Sequence, residues 1–127
     1  MFANRHATFM LPAKDVERAA AWYKDKLGLE PTRQTDFGVG YRLTGAGEMF
    51  LYKSDYAGTA HHTLISFDSP DLVADMAALR AKGVHFIEYD LPSIKTKDGL
   101  AEFGSMKNAW ARDSEGNIIG FVEGVSA

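Results

Sequence analysis

Chemistry in this 127-residue chain has to come from few groups. It has no cysteine, which removes disulfides, thiolate nucleophiles and cysteine-held zinc together. No serine sits in a G-x-S-x-G turn. Gly45-Ala46-Gly47 is followed by strand-like residues, so no helix start is available there to cradle a phosphate. Asp113 and Glu115 read as turn formers facing water, with nothing to desolvate either carboxylate, and Lys95, Lys97 and Asp98 as a solvated loop. His62 is different. It opens an alternating stretch, His62 to Phe67, on the side of Leu64 and Ser66. A neutral imidazole there could move a proton near pH 7 or hold a ligand carbonyl; the plainer expectation is a strand histidine satisfied by a neighbour or by water. Trp110 could stack on a planar ligand, or simply fill core between its flanking alanines.

The elements that would position these groups come in two copies of one unit. Arg5 to Leu11 alternates as a strand, Pro12 ends it, and Asp15 caps a helix whose apolar side is Val16, Ala19, Ala20, Tyr23 and Leu27, stopped by Gly28. Glu30 to Gln34, Val39 to Thr44 and Met49 to Lys53 read as short strands, with turns at Asp36-Phe37-Gly38 and Gly45-Ala46-Gly47. After a polar link, Ser54 to Ala60, the order repeats. His62 to Phe67 is the strand, Ser69 with Pro70 is the capped helix start, Leu72, Met76 and Leu79 are the buried stripe, and Gly83 is the stop. His85 to Tyr89 reads as the next strand, and Met106 to Arg112 with Asn117 to Val122 as a hairpin. Between them, residues 90–105 form an excursion without counterpart in the first copy, either a lid or a surface insertion. Two copies of one unit imply a shared concave surface where a small ligand could sit.

Bulk properties exclude several classes. The 14 basic and 17 acidic residues leave a charge of −3 with no cationic cluster able to neutralise a row of phosphates, so nucleic acid is not an expected partner. No apolar run reaches the roughly 18 residues of a membrane span, and the first residues lack a signal-peptide core. The expectation is a soluble, cytoplasmic protein of one domain, 1–127, with a first module at about 5–53, a linker at 54–60 and a second module at about 61–124.

The doubled strand-helix-three-strand unit resembles the vicinal oxygen chelate superfamily of glyoxalases, extradiol dioxygenases and bleomycin-resistance proteins. The resemblance rests on D-x-x-x-x-x-x-W-Y-K-x-x-L-G-L at Asp15 to Leu29 and D-x-x-G-N-I-I at Asp113 to Ile119. It implies an α+β fold of two βαβββ modules, a curled, cup-shaped mixed sheet with helices outside. A ferredoxin-like dimeric barrel is the alternative, but would need no closing three-strand run. In metal-binding members the ion is held by His or Gln on a module's opening strand and Glu on its last. Carried over, those positions are Thr8 and Leu51, then His62 and Gly120, with His6 and His61 as substitutes if the register slips. Of the four carried positions only His62 has a ligand-type side chain, so the expectation is no metal and no other cofactor.

On that reading the cup is lined by Thr8, Met10, Met49, Leu51, His62, Leu64, Trp110, Ile118 and Gly120, apolar and soft, with Gly120 opening space. The competing expectation is a hollow filled by Trp22, Tyr41 or Trp110. The leading functional expectation is a homodimeric binding protein similar to the bleomycin-resistance branch, taking an apolar or aromatic small molecule without a metal. The alternative is a glyoxalase- or dioxygenase-type enzyme using a divalent ion, or His62 as acid-base; a third is a scaffold whose cleft is vestigial.

Overall fold

In the structure, a computed structural model, residues 1–45 and 47–124 are described. The elements run β1 (Thr8–Ala13), α1 (Val16–Leu27), β2 (Arg33–Thr35), β3 (Gly38–Leu43), β4 (Gly47–Lys53), β5 (Thr63–Asp68), α2 (Leu72–Ala81), β6 (Ala101–Phe103), β7 (Met106–Arg112) and β8 (Ile118–Glu123). They build two four-stranded mixed sheets, ordered β1-β4-β3-β2 and β5-β8-β7-β6. In each the first strand runs parallel to the last and the others are antiparallel. The expected α+β fold of two βαβββ modules with curled, unclosed sheets is what the chain adopts. Of the expected turn at Gly45-Ala46-Gly47, Ala46 lies outside the described residues.

Local chemistry explains most boundaries. Asp15 caps α1 by accepting from the Arg18 N–H, and Gly28 closes it at φ 70°. For α2 the cap moves two residues, from Ser69 to Asp71, whose carboxylate accepts from the Ala74 N–H. Ser69 instead braces that cap, accepting from the Asp71 N–H and donating to Asp75. Pro12 does not end β1. The strand continues to Ala13 because β1 is the edge of its sheet, where a missing N–H costs no ladder bond. The strand expected at His85 to Tyr89 reduces to one antiparallel bridge, Phe86 to Ala111, with the Ile87 N–H donating to Trp110 O. It shares the outer edge of β7 with β6, which lies farther along that edge. The excursion between them folds into tight turns bridged at Asp90 to Lys95 and Lys97 to Leu100. Glu88 fastens it by accepting from Thr96 and from the Gly99 N–H.

One core serves both modules. Leu11, Ala13, Met49, Leu51 and Tyr41 from the first sheet and Ile65, Ala109, Ala111, Ile119 and Phe121 from the second join Tyr23 of α1 and Leu72, Met76 and Leu79 of α2. These are the helix-facing sides of both sheets. The halves are also clasped at the β7–β8 turn, and here the expectation for Asp113 and Glu115 is corrected: both are buried. α1 covers the turn and supplies partners that water would otherwise provide. Arg18 donates twice to Glu115 at 2.9 Å, the Asp15 N–H adds a third bond, and the Tyr23 hydroxyl donates to Asp113 at 2.6 Å. Asn117 completes the clasp, donating to Pro12 O and Asp113 and accepting from the Gly58 N–H of the linker. The D-x-x-G-N stretch is therefore a joint between modules. Its electrostatics agree. Arg18 hydrogen bonding outweighs the upward pull of burial and, with the Asp15 N–H and Ser114, holds the Glu115 carboxyl down to about 2. Burial, then the Asp113 charge, pushes the Tyr23 hydroxyl up, keeping it a donor.

Candidate functional site

The faces opposite the helices are left for a ligand, and strand register decides which side chains they present. In the first module Thr8 lies beside Glu48, Met10 beside Phe50 and Pro12 beside Tyr52, while Leu11 lies beside Leu51. Cross-strand partners share a face, so the open side carries Thr8, Met10, Glu48 and Phe50. Met10 is exposed and Phe50 nearly covered. Across β3 the same face continues through Gly40 and Arg42 to Arg33 on β2. Arg33 reaches over Gly40 to Glu48 (Nη2 to Oε1, 2.5 Å), and its guanidinium lies 5.3 Å from the centre of the Phe50 ring. A Cβ at position 40 would meet Glu48 Oε2 at 3.2 Å and Arg33 Nε at 3.4 Å, so glycine there leaves the two side chains room to meet.

In the second module Ser66 lies beside Gly120 and Trp110 lies beside Gly120 from the other side. The β5–β8 register slips between Thr63 and Ile65, and this irregularity reverses the alternation expected from His62. Thr63 thereby comes over Gly120, where a Cβ would meet Thr63 Cγ2 at 3.2 Å and Ser66 Oγ at 3.1 Å. His62 stands in a bend ahead of β5 and is exposed. Trp110 is half-buried, and Tyr89 meets it edge to face with centroids 5.2 Å apart.

Several expected lining residues are relocated. Met49 and Leu51 are fully buried on the helix side, because they pair with Phe9 and Leu11 and not with the Thr8 face. Tyr41 lies there too, beside Met49, and so does not fill the open side. Leu64, inside the slipped segment, packs against the helix-side core. Ile118 keeps its place in the alternation with Gly120 but is only 3% exposed, and the space expected beside Gly120 is shared by Thr63 and Ser66. Thr8, Met10 and Trp110 are on the open faces as read. Sequence reasoning missed Arg33, Arg42, Glu48, Phe50, Thr63 and Tyr89. For Glu48 a signal existed: it stands one residue before the apolar run taken as its strand.

The donor chemistry follows. Glu48, beside Thr8, is a carboxylate on the open side of a last strand, ahead of the carried position Leu51, which has none. Its partner is a guanidinium, and its neighbours are a threonine and a second arginine, Arg42. Among the described residues no group of three His, Cys, Asp or Glu is placed to hold a metal ion. This set does not fit a divalent cation, which needs several anionic or neutral donors converging on one point. What the faces offer instead is aromatic surface, a soft methionine, hydroxyls and two guanidinium groups.

A sequence profile of the Glyoxalase/Bleomycin resistance protein/Dioxygenase superfamily matches residues 5–121. No curated protein matches the chain in sequence. Among solved structures, UcmS2 superposes with a TM-score of 0.72 at 21% identity, over 93% of this chain and 96% of its own. A glyoxalase/bleomycin resistance protein/dioxygenase from Alicyclobacillus acidocaldarius gives 0.70 at 16% identity, covering 97% and 93%. A putative glyoxalase family protein from Bacillus anthracis gives 0.70 at 17%, covering 97% of each chain. At these identities the likeness is one of fold. No helix among the described residues is long and apolar enough to cross a membrane.

Proposed function

Because the chain belongs to the Glyoxalase/Bleomycin resistance protein/Dioxygenase superfamily, we propose that it is a small-molecule binding protein of the bleomycin-resistance kind, holding an apolar or aromatic ligand on its open sheet faces without a metal. The observation that carries this reading is the engagement of Glu48 by Arg33, which leaves the one carboxylate beside Thr8 committed to a guanidinium. Trp110 with Tyr89 and the exposed Met10 supply surface for a planar body, and Thr63 and Ser66 supply hydroxyls to orient it. Binding acts by sequestration or carriage. The protein works as a cytoplasmic homodimer, in keeping with its lack of cysteine and with exposed Phe9 and Phe103 on its strands.

Metal analysis of protein purified without chelator, paired with a thermal-shift screen of aromatic compounds, tests this. A compound present at about a hundred times its Kd adds about 2.7 kcal/mol of stability, and Trp110→Ala removes most of that gain. Near-stoichiometric iron, manganese, nickel or zinc overturns the metal-free reading. A screen in which no compound shifts the melting point overturns binding.

A further inference from the structure

We propose that the ligand carries a carboxylate, and that Arg42, which lines one hollow with Thr8 and His6, is the residue that holds it. The inference rests on the open face being a binding surface and adds a substrate class and a specificity-determining residue to that reading. Arg42 is the direct ladder partner of Glu48 and the obvious mate for its charge. Glu48 nevertheless reaches the other way, to Arg33, through the gap that Gly40 leaves. No ion pair among the described residues includes Arg42. The open side of the first module thus holds two guanidinium groups against one carboxylate, and the unspent positive charge is on Arg42.

The surroundings suit one oxyanion. Arg42, Thr8, His6 and Glu48 line a hollow of about 590 Å³ at the head of β1. A planar guanidinium matches a carboxylate with two parallel N–H donors, and the Thr8 hydroxyl and His6 imidazole can add donors from β1. Glu48 beside it disfavours a doubly charged head, which selects a carboxylate over a phosphate monoester. Two residues along β1, the exposed Met10 provides apolar surface on which the remainder of such an acid would lie. The chemical class is a small apolar or aromatic carboxylic acid.

The test compares 2-naphthoate with 2-naphthamide, which share a ring and differ in charge, by calorimetric titration at low ionic strength. The expected result is about tenfold or greater preference for the naphthoate in the unaltered protein. In Arg42→Gln, an exposed position that should leave the melting point unchanged, the preference should collapse while the naphthamide affinity holds. Lys95→Gln, on the excursion of the second module and outside the lining of this hollow, should keep the full preference. Equal affinities in the unaltered protein overturn the carboxylate inference but leave the binding reading standing. A preference that survives Arg42→Gln overturns the assignment to Arg42. Failure of both compounds to bind at millimolar concentration sinks the inference and the underlying reading together.

Discussion

The two modules share strand order, parallel closing pair and aspartate-capped helix, yet their open faces differ in kind. On the first, Arg33, Arg42 and Glu48 surround Gly40; on the second, Thr63, Ser66 and Trp110 surround Gly120. One sets two guanidinium groups and a carboxylate around its central glycine, and the other sets two hydroxyls and an indole. Repetition has kept what builds the shared core, on the helix side, and released what faces outward. The opening strands differ for the same reason. β1 keeps an unbroken register with β4, whereas β5 slips against β8 and swaps which residues look out. A repeat in sequence therefore licenses inference about scaffold far more securely than about side-chain chemistry.

The comparison is broken most severely at the joint that makes two modules one core. Asn117→Ala removes the partners of Pro12 O and the Gly58 N–H at a site only 1% exposed, and should cost about 3 kcal/mol in denaturant unfolding. If the halves are one cooperative unit, a single transition persists. Tyr23→Phe leaves Asp113 without its hydroxyl donor and should cost about 1–2 kcal/mol by the same measurement. Glu115→Gln weakens the Arg18 bonds for about 1 kcal/mol at neutral pH, and its sharper signature is in acid. The Glu115 carboxyl titrates near 2 when folded against an ordinary 4.5, so the unfolded chain takes up the proton first. Its stabilisation is complete above about pH 4.5 and is lost as pH falls towards about 2. Melting temperatures over that window should fall less steeply in Glu115→Gln; identical slopes would remove Glu115 from the account.

How much of this was legible follows from what each feature depends on. Helix limits, the order of elements and the two-module division rest on residues within a few positions of one another, so Asp15, Gly28 and Gly83 announced them. The open faces rest on register between strands far apart in sequence. Placing Met49 and Leu51 beside Thr8 required knowing that Thr8 meets Glu48, and a shift of one residue turns a whole strand over. The slip at Thr63 has no sequence mark comparable to a glycine turn, so His62 read as an inward residue. Asp113 and Glu115 read as wet because turns usually are; only the packing of α1 over that turn makes them a buried clasp. Arg33 drew no reading of its own, since the glycine that lets it cross to Glu48 belongs to a different strand.

The smallest effect on stability tests the contrast between the faces most directly. The Arg33–Glu48 pair is partly exposed, with 52% and 28% of the two side chains accessible, so Arg33→Ala should change stability by less than about 1 kcal/mol. Its chemical consequence is larger, because it frees the one carboxylate beside Thr8. If the guanidinium on Glu48 were the sole obstacle to a metal in the first module, the variant should take up nickel or zinc in stoichiometric amounts when titrated by calorimetry. Donor counting says otherwise: Thr8 contributes a neutral hydroxyl, Arg42 repels a cation, and Gly120 on the other module offers no side chain. The expected outcome is no measurable uptake, with stability nearly unchanged. Tight uptake would mean that the open face still holds a complete ligand set, and that the difference between the modules is a single arginine deep.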